Sequence, residues 1–174
     1  ITTANQASVS LSATANFITN GDGSTTRRTI STGGGNISII ADSDANGSGT
    51  LDLDYLTVNP GSGALLIRGE VFNWATHLNA VMPILNGSGS FTMESSDASF
   101  GQGLSFTEWI QINTDGSKFS SFTLGKAGNA ADISFISNTI VGVTTSTVNV
   151  DGPINIYGAN IAINAAMTAT GSNI

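Results

Sequence analysis

Cysteine is absent from the 174 residues, which excludes disulfides, thiolate metal sites and cysteine nucleophiles. Charge is scarce: 10% of residues are Asp, Glu, Lys or Arg, against about 25% in ordinary globular chains. Twelve carboxylates against five basic residues leave a formal charge of −7. Arg27, Arg28, Arg68, Lys118 and Lys126 form no cluster beyond one pair. A surface that tracks phosphates needs many cations on one face, so nucleic acid is not an expected partner. No apolar run approaches the ~18 residues of a membrane-spanning helix, so no membrane span is expected. The sequence opens at Ile1 in Thr-, Ser- and Asn-rich chain rather than in a basic-then-apolar leader. The single histidine, His77, has no Gly-x-Ser-x-Gly elbow to serve, and Gly33-Gly34-Gly35 is followed by neither Lys-Ser/Thr nor a helical pattern. Neither a serine-hydrolase triad nor a phosphate cradle is therefore expected.

What is present is apolar residues at 40%, enough for a core, and a polar remainder dominated by hydroxyl and amide side chains. The string Gly-x-Asn-Ile occurs three times, at Gly34-Gly35-Asn36-Ile37, Gly158-Ala159-Asn160-Ile161 and Gly171-Ser172-Asn173-Ile174. Glycine permits the positive φ of a sharp corner and asparagine tolerates the same region. Each isoleucine then opens an alternating run, such as Ile37-Ser38-Ile39 or Ile161-Ala162-Ile163, whose apolar side chains share one face. Similar runs recur at Val9-Ser10-Leu11, Leu51-Asp52-Leu53, Leu56-Thr57-Val58, Phe122-Thr123-Leu124, Ile133-Ser134-Phe135 and Ile154-Asn155-Ile156. Between them stand turn clusters such as Asn46-Gly47-Ser48-Gly49, Asn59-Pro60-Gly61 and Asn86-Gly87-Ser88-Gly89.

Corner, strand, corner, strand is the pattern of a solenoid, because a unit this short cannot bury its apolar face alone and must stack on copies of itself. The spacing from Gly152 to Gly171 predicts rungs of about twenty residues, and Asn36, Asn160 and Asn173 are the candidates for equivalent corners in an amide ladder. One all-β segment spanning residues 1–174 is expected. Its end on the opening of another unit predicts a piece of a longer repeat protein. The exception is the stretch near residues 71–83, where Val71, Trp74, Ala75, Leu78 and Met82 fall at helical spacing before Pro83. A short helix or an irregular excursion is expected there, and the rung register between Val71 and Gln102 stays open.

The stretches from Thr123 to Ile133 and from Val150 to Ala165, with Gly34 to Asp42, resemble the repeats of very large bacterial surface adhesins of the filamentous-haemagglutinin-like kind. The resemblance covers about a third of the chain. It implies a right-handed parallel β-helix used as an exported stalk or adhesive filament at the bacterial cell surface. It implies no catalytic residue and no cofactor. The partners it implies are neighbouring repeats of the same polypeptide and surface glycans or proteins of a host or the environment.

Three groups of residues could carry chemistry. Asp52 and Asp54 flank Leu53, so on a strand their Cβ atoms would share a face about 7 Å apart, between the separations of retaining and inverting glycosidases. Solvated strand positions are the simpler reading. Asp42-Ser43-Asp44-Ala45-Asn46-Gly47 matches the start of a calcium loop, with oxygen ligands at one, three and five and glycine at six, but its twelfth position is Leu53. Whether Asp42, Asp44 and Asn46 bind calcium is left open, and no metal or catalytic site is assigned. Trp74, Trp109, Tyr55 and Tyr157 could stack sugars, though packing is the simpler role. Thr25-Thr26 and Thr144-Thr145-Ser146-Thr147 do not recur rung by rung as an ice-binding array would. The expected function is thus a non-enzymatic structural or adhesive stalk. The alternatives are a glycan-binding or glycan-cleaving β-helix with its site at Asp52, Asp54 and the Trp74–His77 excursion, and a filament subunit that self-associates through its solenoid ends.

Overall fold

The computed structural model describes residues 1–3, 6–19, 26–73, 83–106, 111–112, 115–136, 139–140, 143–144, 148–164 and 166–171. The first rung holds β1 (Thr2–Thr3), β2 (Val9–Ser12) and β3 (Phe17–Ile18), and the second β4 (Arg28–Thr32), β5 (Ile37–Ile40) and β6 (Thr50–Asp52). Then come β7 (Leu56–Asn59), β8 (Leu65–Arg68) and β9 (Val71–Phe72), followed by β10 (Ile84–Leu85), β11 (Ser90–Glu94) and β12 (Leu104–Phe106). The next rung is β13 (Gln111–Ile112), β14 (Ser121–Leu124) and β15 (Ile133–Ile136), from which the hairpin β16 (Thr139–Ile140) and β17 (Val143–Thr144) leads on. The chain finishes with β18 (Val148–Val150), β19 (Ile154–Ile156), β20 (Ile161–Asn164) and β21 (Met167–Ala169).

Strands of equal rank pair in parallel. The first face stacks β1-β4-β7-β10-β13, the second β2-β5-β8-β11-β14-β19, and the third β3-β6-β9 and then β12-β15-β20. Apart from the hairpin, every strand pair among the described residues is parallel. The fold is a parallel β-solenoid, with no helix among the described residues. Of the expected excursion, Val71 and Phe72 form a strand, and Trp74 to Met82 lie outside the described residues.

The expectation of about twenty residues per rung holds at the end of the chain it was read from, where Val148 pairs with Met167 and Thr170 bonds to Asp151 at a separation of 19, but not along the second face. Asn36 sits over Ser8, and Ala64 over Asn36, at separations of 28 residues. The near-identical corners do not mark the length of these earlier rungs, because one turn has several corners with the same steric demands. Asn36 precedes β5 on the second face, whereas Asn160 precedes β20 on the third. They are not stacked equivalents, and Asn173 lies outside the described residues.

The ladder at the corners is mixed rather than amide on amide. Ser8 Oγ accepts the Asn36 N–H at 3.1 Å, and Asn36 Oδ1 accepts the Ala64 N–H at 2.9 Å. Asp132 Oδ1 does the same for Asn160, taking its backbone N–H at 3.1 Å and its side-chain Nδ2 at 2.7 Å. Any short side chain with an oxygen at this distance serves, so the parallel ladder extends one residue into the corner.

The core runs along the axis. On the second face, Val9, Ile37, Leu65, Phe91, Phe122 and Ile154 stack in one column and Leu11, Ile39, Ile67, Met93, Leu124 and Ile156 in the next. Ile37 through Phe122, and Ile39 through Leu124, are fully buried. The Phe91 and Phe122 ring centroids are 5.1 Å apart, within the range of favourable aromatic pairs. Ile161 and Ile163 keep this register over Ile133 and Phe135, but at the last rung they are 44% and 56% exposed. Ile161, a natural choice for a core probe on sequence grounds, is therefore an edge residue.

Candidate functional site

Asp52 and Asp54 do not form an open carboxylate pair. Strand β6 ends at Asp52, and the chain turns at Asp54 and Tyr55, whose φ is 58°. The turn carries Asp54 inward, where it is buried, and its carbonyl accepts the Thr19 hydroxyl at 2.6 Å. Asp52 Oδ1 accepts the Asp54 N–H at 3.1 Å, so this carboxylate closes the corner. The strand geometry assumed for a shared face stops one residue too early. Trp74, His77 and Trp109, with Thr25 and Thr145 to Thr147, lie outside the described residues. Tyr55 is buried at the corner, and Tyr157 is exposed on the last rung.

The Asp42 loop is organised around its own amides. Asp42 is fully buried in left-handed backbone, at φ 55°. Its Oδ1 accepts the Asn46 N–H at 3.0 Å and its Oδ2 the Gly47 N–H at 3.1 Å. Asp44 is exposed and accepts from Asn46 Nδ2 at 2.9 Å. The oxygens that would converge on a cation are thus turned to different N–H groups. No group of three or more His, Cys, Asp or Glu side chains able to hold a metal ion occurs among the described residues.

A third constellation was not singled out by sequence. Where the chain leaves β8 and β11 it builds a polar network across neighbouring rungs. Glu70, Ser95 and Asn129 are all buried there. The Ser95 hydroxyl makes contacts with Glu70 Oε2 at 2.8 Å and the Ser99 carbonyl at 2.6 Å. The Ser99 hydroxyl meets Asn129 Oδ1 at 2.9 Å, and Asn129 Nδ2 donates to the Tyr157 carbonyl at 2.7 Å. Lys126 Nζ donates to the Ser95 carbonyl at 3.1 Å. Burying polar groups costs free energy unless each finds a partner, and here the partners come from successive rungs. The segment from Ser95 to Gly101 is held by this network and by the edge-to-face contact of Phe100 with Phe72, at 5.5 Å between centroids.

Over this network lies an open trough of about 360 Å³, running between Ser99–Gly103 of one rung and Ala130–Asp132 of the next. Gly103 leaves it open toward Asp132, while the missing Cβ of Gly101 leaves room for the Glu70 side chain beneath. The sequence signal was the polar run from Ser95 to Ser99 ahead of Gly101-Gln102-Gly103, inside the stretch without a regular register.

Comparison with known protein families, curated proteins and solved structures found no match to this chain.

Proposed function

We propose that the chain is a non-enzymatic, rigid stalk segment of an extracellular bacterial adhesin or surface filament. One observation carries the reading most directly: on the second face six parallel strands stack without a break, over apolar columns buried along the axis. With strands about 4.8 Å apart, such a stack is a rod whose bending would open backbone hydrogen bonds and buried apolar surface together. A scaffold that projects a binding end from a cell needs this property. The hydroxyl- and amide-rich exterior suits an exposed filament that must stay soluble with few charges. The resemblance of Thr123 to Ile133 and Val150 to Ala165 to adhesin repeats supports the same surface location.

The test is immunolabelling of intact source cells with antibody to this chain, with protease shaving as control. Surface labelling removed by protease is expected; labelling only after lysis overturns the proposed location.

A second reading is a self-assembling filament subunit, in which the rungs at the two ends of this segment pair with another molecule rather than with further rungs of the same polypeptide. Ile161, Ile163 and Tyr157 are exposed at one and Ile1 and Ile18 at the other. Unpaired strand edges of this kind recruit further strands. Mass that grows with concentration in analytical ultracentrifugation would support it, and a concentration-independent monomer would remove it. The glycan-cleaving alternative loses its pair of acids, since Asp54 is buried and Asp52 is bonded to the Asp54 amide.

A further inference from the structure

We infer that the trough between Ser99–Gly103 and Ala130–Asp132 is a binding subsite for a neutral sugar, which would make this stalk segment adhesive in its own right. The inference rests on the adhesin reading for its biological sense, but its chemistry is local. The volume, about 360 Å³, lies within the range of small-ligand sites.

The lining selects the ligand class. It offers the Gln102 amide and the Asp132 carboxylate beside the methyl groups of Ala130 and Ala131, while the Ser99 hydroxyl is held by Asn129 and the Ala130 N–H and the Phe100 ring is buried against Phe72. Carboxylate and amide groups hold sugar hydroxyls, while the alanine methyls offer a small apolar contact to the C–H groups of a pyranose ring. Among the described residues no Lys or Arg lines the trough, so an anionic ligand finds no counter-charge from them and meets Asp132 instead. The apolar part is too small for a lipid chain. A neutral mono- or disaccharide is what remains.

Preorganisation is the second argument. A stalk needs only an apolar interior at its corners, yet Glu70, Ser95 and Asn129 are buried beneath this trough and fix the backbone from Ser95 to Gly101. Asn129 Oδ1 accepts the N–H groups of both Phe100 and Ala131, each at 3.2 Å, and so ties the two walls together. Walls fixed before binding lower the ordering cost of a weak ligand. Asp132 keeps its orientation through Oδ1, which accepts from Asn160.

The experiment is an NMR titration of the ¹⁵N-labelled chain with lactose, maltose and N,N′-diacetylchitobiose as neutral probes and 3′-sialyllactose as the anionic one. Saturable shifts confined to the amides of Ser99–Gly103 and Ala130–Asp132 are expected with at least one neutral disaccharide, and none with sialyllactose. A Cβ on Gly103 would approach Asp132 no closer than 3.5 Å, so Gly103→Phe should fold normally, fill the trough and weaken binding at least about tenfold. Asp132→Asn, which keeps an oxygen for Asn160, should weaken binding several-fold with unchanged melting. Absence of saturable shifts with every probe, shifts mapping elsewhere, preference for sialyllactose, or full binding by both variants would overturn the inference. The stalk reading fails separately, through loss of surface labelling, whatever the titration shows.

Discussion

Gly63 lies over Gly35 so closely that a Cβ on Gly63 would stand 2.2 Å from the Gly35 carbonyl oxygen. Gly35 is itself as close to the rung before, with the Ala7 carbonyl oxygen 2.4 Å from its would-be Cβ, and Gly89 repeats the relation over Gly63 at 2.1 Å. The corner before the second face is thus a column of backbone on backbone, and the obstructing atoms cannot rotate aside. Gly63→Ala should destabilise the chain by about 2 kcal/mol or more. Gly33→Ala, with nothing within 4 Å of its Cβ, should stay within about 0.5 kcal/mol of the parent. Urea unfolding of the two variants checks this, and equal stabilities would contradict it.

The axial columns make a second distinction. Phe122 is fully buried between Phe91 and Ile154, whereas Ile163 is 56% exposed. Phe122→Ala is expected to cost about 3–5 kcal/mol, and Ile163→Ala under about 1 kcal/mol because little apolar area returns to water. Thermal melts of both variants decide the point.

The alternating runs placed the strands well. Ile37-Ser38-Ile39, Phe122-Thr123-Leu124 and Ile133-Ser134-Phe135 all lie in strands, with their apolar residues buried, because period two is the direct geometric consequence of a half-buried strand. Rung length was legible only where it was read, at the end where Val148 pairs with Met167; for the longer earlier rungs it was not, since Asn36 and Asn160 satisfy the same local demand at different corners. Asp54 was misplaced because periodicity cannot show where a strand stops, and here the left-handed Tyr55 turns the chain one residue earlier than alternation implies. The network of Glu70, Ser95, Ser99 and Asn129 was hidden for another reason. Its members come from separate rungs, and only the register of stacking brings them together.

At the Asp42 loop the geometry predicts insensitivity to calcium. Both carboxylate oxygens of Asp42 are engaged by Asn46 and Gly47 amides, so a cation would have to displace bonds that hold the loop. Melting temperatures in millimolar calcium and in chelator should agree. A calcium-dependent rise would show that a ligand set forms after all, since selective binding to the folded state raises stability. Asp42→Ala should lower stability by about 1–3 kcal/mol, because two buried-side amides lose a charged acceptor.

The corner ladder is testable at one amide. Asn36 Oδ1 accepts the Ala64 N–H at an exposed corner, where water can take over. Asn36→Ala should cost less than about 1 kcal/mol and yet speed hydrogen exchange at Ala64, while Asn36→Asp keeps the acceptor and leaves exchange slow. Unchanged exchange in the alanine variant would show that the bond does not protect this amide.

Parallel stacking from rung to rung underlies every conclusion above, and the natural lack of cysteine gives a clean way to measure it. The register sets Ser10 beside Ser38 and Ser12 beside Ile40, at about 4.8 Å between adjacent strands, within disulfide reach. Cysteine pairs at 10 and 38 and at 12 and 40 should both cross-link readily on oxidation, and the crossed pairs at 10 and 40 and at 12 and 38 poorly. Efficient cross-linking of the crossed pairs, with little from the direct ones, would mean antiparallel strands and contradict the solenoid.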